Sequence, residues 1–387
     1  MLALRLARGT HPLVLLRRLM VVAASGGVGF LLLCTLTYAL SHPTDSGTSG
    51  LRLLWCLIPL AATVHFAVAV ARTDPSTRPR PGLSAVGLGP ARLTALAAVS
   101  TAVSGALGSA LALLVFLHLR GDLHLRGELT RLPFDGAAAE LLAAGRPLPL
   151  AAALTLLAVV PLLASVAAAL ALRPRRVPPP PDAPSAAPTE LPWGVALMAV
   201  GLAVETYTGR GGARSPLPIP GEIDGNPAGV LVGWTLTALG LALAGPGIAH
   251  FSGRILQWLR PGATRLLAGR ILMEESSRIG RPLGVVCAVT SAAIAAEALY
   301  GGRAEQPFGL LTILGAALVV TCTTATLLVS ALDARQTRAT TTDSLRRLGV
   351  PATVLRKATV LRAAALLAVF AALTWGVTAL TAVPFAT

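Results

Sequence analysis

Nine long apolar segments limit what this chain can fold into. An α-helix needs about 20 predominantly apolar residues to cross the hydrocarbon core of a bilayer. The predicted spans are Leu19–Leu40, Leu53–Ala71, Leu93–Leu117, Leu150–Leu172, Leu191–Tyr207, Ala228–His250, Leu283–Tyr300, Phe308–Leu332 and Val360–Val383. Only helices satisfy their backbone in lipid without closing a barrel. We therefore predict an all-α, polytopic helical membrane protein with about nine transmembrane helices.

Composition excludes the main soluble classes. Apolar residues make up 54% of the 387 residues and charged residues only 13%. The net charge of +15 does not predict nucleic-acid binding, because the basic residues flank the spans and aromatic residues are few. The four cysteines lie inside spans without the spacing of a metal site. No residue is predicted to be catalytic, to bind a cofactor or to bind a metal.

The distribution of basic residues predicts the orientation in the membrane. With the N-terminus inside, 23 lysines and arginines fall on the cytoplasmic side and 8 on the opposite side; Arg362, at the end of a span, is not counted. This bias satisfies the positive-inside rule. We expect a multi-pass protein of the cell (plasma) membrane, with a cytoplasmic N-terminus and an extracytoplasmic C-terminus.

Two loops on the predicted cytoplasmic side resemble each other. Leu83–Leu88 precedes the third span, and Leu345–Val350 precedes the last, with apolar positions and a glycine at one common offset. Both loops lie between the second and third spans of their half. Because both halves start on the inside, the sequence indicates a parallel repeat.

Each of these loops is predicted to be a short amphipathic helix ended by a glycine, which tolerates the left-handed conformation after a helix. Leu345 and Leu348 would form an apolar edge, with Arg346 and Arg347 facing water, lipid phosphates or an acidic partner. Two interpretations stay open from the residues alone. The loop is either an interfacial helix held by anionic lipid or a docking element for a cytoplasmic protein.

The order of several degenerate motifs resembles the FtsX-like (MacB-like) ABC transporter permease family, in its short actinobacterial two-unit form. The motifs are Leu345-Arg346-Arg347-Leu348-Gly349-Val350-Pro351, Leu355-Arg356, Leu361-Arg362-Ala363-Ala364, Leu243-Ala244-Gly245-Pro246, Leu266-Leu267-Ala268-Gly269-Arg270, and Pro147-Leu148-Pro149-Leu150 with Pro161 in the span that follows. The resemblance covers nearly the whole chain.

The resemblance implies two parallel FtsX-like units joined by a two-helix insert. Residues 1–172 would form the first permease unit, with four transmembrane helices. A Pro-rich cytoplasmic linker would follow over 173–190, and the insert over 191–250. Residues 251–387 would form a second unit with three helices, lacking a fourth.

The resemblance also implies a separate cytoplasmic ABC ATPase as partner. The chain has no GxxxxGK[ST] phosphate loop, and its only lysine is Lys357, so we expect it to be no enzyme by itself. The residues implied to couple to the ATPase lie in and beside the paired loops: Leu83, Val86, Gly87, Arg92, Leu345, Arg346, Arg347, Leu348, Gly349, Arg356 and Lys357. The extracytoplasmic domains common in the family have only Ser41–Leu51 and Gly301–Pro307 in their places.

Export or mechanotransmission driven by that ATPase is therefore the predicted function, and anionic membrane lipids are further expected partners. Neither the substrate nor the oligomeric state, homo- or hetero-oligomeric, can be read from the residues. One alternative is an ion-coupled secondary transporter that uses Glu205 or Glu297, since carboxylates within spans are functional candidates. Both are expected near the outer ends of their spans, where they would be hydrated. Another alternative is a degenerate membrane protein that no longer transports.

Overall fold

The computed structural model describes residues 12–44, 46–74, 90–122, 138, 142, 146–173, 189–210, 227–258, 262–300 and 309–382. Helices account for nearly all of these residues, and the described ranges contain no strand. The helices are α1 (Pro12–Ser41), α2 (Ser46–Thr73), α3 (Pro90–Arg120), α4 (Leu150–Ala171), α5 (Leu191–Arg210), α6 (Pro227–Gln257), α7 (Ala263–Tyr300), α8 (Leu310–Arg347) and α9 (Ala352–Ala382). The predicted all-α fold is confirmed.

Within the described ranges, eight helices are long and apolar enough to cross a membrane. The remaining helix, α5, has a shorter apolar stretch, Leu191–Tyr207. The exposed aromatic residues Trp193 and Tyr207 lie near the two ends of this stretch. Each of the nine predicted spans therefore coincides with a helix, and the chain is a multi-pass membrane protein.

Two helices extend far beyond their predicted spans. Helix α7 begins at Ala263, well before Leu283, and α8 continues past Leu332 to Arg347. The extensions contain many charged residues, so hydropathy alone does not find them. Two ion pairs join the extensions, Glu275 with Arg338 and Arg278 with Asp333. The loop helix predicted around Leu345 is consequently not a separate element. It is the end of α8.

The chain divides into two compact units. Unit 1 comprises Met1–Arg176 and Phe308–Cys322, and unit 2 comprises Val177–Pro307 and Thr323–Thr387. Helix α8 therefore contributes its first part to unit 1 and its second part to unit 2. The predicted boundaries at 172, 190 and 250 stay predictions, and most of the predicted linker lies outside the described residues.

In unit 1, polar contacts join both ends of α1 to neighbouring segments. At one end, Arg18 near the start of α1 pairs with Asp74 just after α2, with 2.7 Å between Nη2 and Oδ2. At the other end, Arg146 donates to the carbonyl oxygen of Leu40, and Arg120 donates to that of Arg146. The core between these ends is apolar: Val28, Leu33, Phe116, Leu157 and Val160.

Glycines allow close helix contacts in unit 2. A Cβ atom at Gly280 of α7 would lie 2.5 Å from both Cα and N of Pro246 on α6. Near the other end of the same helix pair, a Cβ at Gly253 would lie 2.8 Å from the carbonyl oxygen of Gly269. Small residues allow this approach, which drives helix association in lipid through van der Waals contact. The two motifs around Gly245 and Gly269 thus pack at one helix interface.

We expect Gly280→Ala to destabilise the protein, because the added methyl group would force α6 and α7 apart. Overpacking of this kind costs about 1–3 kcal/mol. The matched control is Gly376→Ala in α9, where an added Cβ meets no atom within 4 Å. Thermal unfolding in detergent measures both variants. Equal melting temperatures for the two variants would contradict the described contact.

Candidate functional site

A buried carboxylate on α7 forms the centre of the charged cluster in unit 2. Glu275 is 7% exposed, whereas its neighbour Glu274 is exposed. The helical repeat accounts for this difference, because Leu272 and Ile279 lie one turn to either side of Glu275 and are both buried. A charge on a buried helix face requires paired partners.

Two arginines from two other helices supply those partners. Arg362 of α9, 8% exposed, donates from Nη1 to Oε2 of Glu275 at 2.9 Å. Arg338 of α8 pairs through Nε with Oε1 of the same carboxylate. The Nε of Arg338 also donates to the carbonyl oxygen of Ala334, at 2.9 Å. We call Glu275, Arg338 and Arg362 the Glu275 network. It joins α7, α8 and α9 through one carboxylate.

More exposed ion pairs surround the network. Arg278 on α7 lies 3.8 Å from Asp333 of α8, measured from Nη1 to Oδ2. Arg281 contacts both carboxylate oxygens of Glu190, which precedes α5, at 2.6 Å. Solvent-exposed ion pairs contribute little, typically ~0–1 kcal/mol. The buried Glu275 network therefore contributes most of the electrostatic connection among these helices.

The turn between α8 and α9 contains two of the predicted coupling residues, Leu348 and Gly349. Gly349 has φ +86°, as predicted for the residue that ends the helix. Its N–H donates to the carbonyl oxygen of Arg346 at 3.0 Å, and the N–H of Leu348 donates to that of Ser344 at 3.1 Å. The side chain of Leu348 is 80% exposed. The turn is thus a defined cap with an exposed apolar side chain.

The other predicted coupling residues divide between described and undescribed parts of the chain. Leu345 belongs to the last turn of α8. Exposed basic residues lie on both sides of the turn and at the start of α3: Arg346, Arg347, Arg356, Lys357 and Arg92. The first loop, with Leu83, Val86 and Gly87, lies outside the described residues. Only the second loop can therefore be placed.

Two residues of the Glu275 network flank this turn in the sequence. Arg338 precedes the turn on α8, and Arg362 follows it on α9. Both helices that carry the turn are consequently tied to the same carboxylate on α7. The connection to α7 consists of one charged hydrogen bond, from Arg362, and one ion pair, with Arg338. Charged hydrogen bonds are stronger than neutral ones.

Glu205, the carboxylate of the alternative function, lies near the end of α5 as predicted, but its environment differs from the one expected. It is fully buried, with 0% exposure, and Trp234 of α6 donates from Nε1 to its Oε1 at 2.7 Å. The hydrated position expected from the sequence is wrong, because glycines let α5 and α6 close around this side chain. A Cβ at Gly233 would lie 2.9 Å from the carbonyl oxygen of Gly201. Glu297, by contrast, is exposed.

Sequence reasoning missed the Glu275 network. Glu275 precedes the predicted seventh span and resembles any other charged residue of a cytoplasmic segment. Arg362 lies at the end of a predicted span and is assigned to neither side of the membrane. One signal was present. Arg362 is the only charged residue between Val360 and Val383, and a charge at that depth requires a counter-ion from a neighbouring helix.

Comparison with known proteins identifies no relative: no family model, no curated protein and no solved structure matches this chain. The resemblance to FtsX-like permeases therefore stays a prediction. The functional argument rests on the charges, the turn and the helix contacts described above.

We expect Glu275→Gln to destabilise the protein strongly, because it leaves the buried guanidinium of Arg362 and the half-buried guanidinium of Arg338 without a carboxylate. Removing one partner of a buried ion pair costs about 3–5 kcal/mol. Glu274→Gln is the matched control, since it removes the same charge from the adjacent, exposed position. Chemical or thermal unfolding in lipid nanodiscs measures both. Equal stability of the two variants would contradict the claim that the Glu275 carboxylate stabilises the fold by pairing with the two arginines.

Proposed function

We propose that this protein is the permease subunit of an ABC transporter, driven by a separate cytoplasmic ATPase for export or mechanotransmission. One observation carries the proposal. The exposed turn between α8 and α9 is attached on both sides to the buried Glu275 network. Such an arrangement suits a segment that receives a force at the membrane surface and passes it to the helices.

The exposed turn has the chemistry of a docking element. Leu348 offers an apolar contact, and a side chain of this size contributes about 1.5–3 kcal/mol when it is buried from water. The flanking charges of Arg346, Arg347, Arg356 and Lys357 are all positive. Charges at the rim of an interface steer association and select a partner of opposite charge. The expected partner surface is therefore an apolar pocket with an acidic rim.

The proposed orientation places this turn on the cytoplasmic side of the plasma membrane, with the N-terminus inside and the C-terminus outside. The excess of 23 basic residues over 8 supports it. At least three of the eight residues assigned to the outside have local structural contacts. Arg120 and Arg146 donate to backbone carbonyl oxygens, and Arg52 lies over the ring of Tyr38, 3.4 Å from its centroid.

The burial of Glu205 favours a second candidate function, ion-coupled secondary transport. Glu205 lies in a glycine-lined contact of α5 and α6, within one unit, and accepts a hydrogen bond from Trp234. Intramembrane carboxylates of this kind act in proton relays. The same geometry also serves packing alone, because the Trp234 N–H is satisfied within the helix pair.

A cysteine at position 348 tests the docking surface and the orientation together. The four native cysteines are buried, so we expect the thiol of Leu348→Cys to react selectively. A membrane-impermeant maleimide should label it in inside-out vesicles and not in right-side-out vesicles. A thiol-anchored photo-crosslinker in native membranes should capture a protein with a GxxxxGK[ST] phosphate loop, identified by mass spectrometry.

The control is Leu367→Cys, which is also exposed, at 69%, but lies in the middle of the α9 span. It should yield no such cross-link. Labelling of position 348 from outside, or equal capture from both positions, would contradict the proposal.

The Glu205→Gln variant separates the two candidate functions. A permease should still stimulate the ATP hydrolysis of its partner with this substitution, because Gln keeps the shape of Glu and still accepts the Trp234 hydrogen bond. Ion-coupled transport would be favoured by a different result: the wild-type protein transports in vesicles that contain no ATPase, and Glu205→Gln, expressed at a normal level, does not.

A further inference from the structure

One end of unit 1 holds a buried arginine whose charge has no carboxylate partner among the described residues. Arg17 of α1 is 8% exposed and donates from Nη1 to the hydroxyl of Thr73 at 3.3 Å. Its Nη2 is buried and has no hydrogen-bond partner. The hydroxyl of Thr73 in turn donates to the carbonyl oxygen of Val70 at 3.0 Å. Among the residues that the structure describes, a neutral hydroxyl is the only acceptor that reaches this guanidinium.

The acidic residues of unit 1 are used elsewhere. Its described part contains two, Asp74 and Asp122. Asp74 pairs with Arg18 at 2.7 Å. Asp122 pairs with Arg120 at the opposite end, with 3.1 Å between Oδ2 and Nε. The α1–α2 end thus carries two buried or half-buried guanidinium groups against one carboxylate, which leaves one positive charge to be neutralised.

A groove lies beside these arginines. Small polar residues of α3 line it, namely Ser100, Thr101 and Ser104, together with Arg18 and Asp74. Val70, Arg18 and Asp74 also border a smaller hollow that reaches Arg17 and Thr73. Beside the serines, α3 exposes an apolar stripe formed by Leu96, Val99, Val103, Leu107 and Leu111. The surface therefore combines a cationic groove lined by small polar residues with an exposed apolar stripe.

We infer that this groove binds the phosphate group of an anionic phospholipid, with an acyl chain along the exposed stripe of α3. Arginine matches phosphate because its planar fork donates two parallel, charge-assisted hydrogen bonds. The unused Nη2 of Arg17 and the Arg18 guanidinium supply the cationic donors, and the small side chains of Ser100 and Ser104 line the neighbouring groove. The inference does not depend on the proposed transport function.

Phosphate in the groove has two sources, a lipid headgroup or free phosphate, and the apolar stripe favours the lipid. Free phosphate would use the arginines alone and would gain nothing from Val99 or Leu107. A lipid would also place an acyl chain along that stripe and make van der Waals contacts that free phosphate cannot make. In the orientation proposed above, the groove opens at the inner leaflet, where anionic lipids are concentrated.

Native mass spectrometry of the detergent-purified chain tests the inference with three probes: phosphatidylglycerol, phosphatidylcholine and inorganic phosphate. The wild-type chain should retain one phosphatidylglycerol in preference to phosphatidylcholine. Arg17→Gln and Arg18→Gln should each weaken retention about tenfold, since each removes a charged hydrogen bond. The control Arg72→Gln removes a charge from an exposed position on the last turn of α2 and should change retention less than about twofold.

Ser104→Leu keeps both arginines and fills the groove, so it should also reduce retention of phosphatidylglycerol. This variant tests the site even if Arg17→Gln folds poorly. Melting temperatures in lipid-free detergent identify variants that have unfolded. Equal losses in Arg72→Gln and Arg17→Gln would overturn the site in favour of non-specific attraction. Displacement of phosphatidylglycerol by millimolar inorganic phosphate would overturn the lipid as its occupant.

Discussion

The requirement that a buried charge be paired organises the last three helices of this protein. Desolvating a carboxylate costs several kcal/mol unless cations and hydrogen bonds surround it. Glu275 meets that requirement with one guanidinium from α8 and one from α9. The polar extension of α7 and that of α8 bring Glu275 and Arg338 together. The turn at Gly349 then returns the chain so that Arg362 completes the network.

Unit 2 thus uses two kinds of contact between helices. Glycines bring α5, α6 and α7 together, and a Cβ at Gly201, Gly240 or Gly280 would lie 2.6 Å or less from the backbone of the facing helix. Charges attach α8 and α9 to α7 as well, and α9 in addition shares a buried apolar core with α7 through Leu366 and Phe370. Close backbone contact resists sliding, because interiors are packed to crystalline density. Charged hydrogen bonds instead keep their partners joined while side chains rotate.

The spans, the all-α fold and the turn at Gly349 could be predicted, because each depends on the local properties of a few consecutive residues. The helix extensions, the Glu275 network and the burial of Glu205 could not. Hydropathy places Glu275 outside the membrane spans. Its burial depends on Arg338 and Arg362, which come from distant parts of the sequence. Glu205 is enclosed because Gly201 and Gly233 lie on facing helices, and the sequence does not specify that proximity. The coupling role of Leu348 stays a prediction, as does the family resemblance.

The most direct test of this account is a double-mutant cycle between Glu275 and Arg362, measured as the free energy of unfolding in lipid nanodiscs. The variants are Glu275→Gln, Arg362→Gln and the pair combined. Groups that share a network interact by about 0.5–3 kcal/mol, so the double variant should lose clearly less stability than the sum of the two single losses. Additive losses, equal within about 0.5 kcal/mol, would show that the two residues act independently and would contradict the network as the link between α7 and α9.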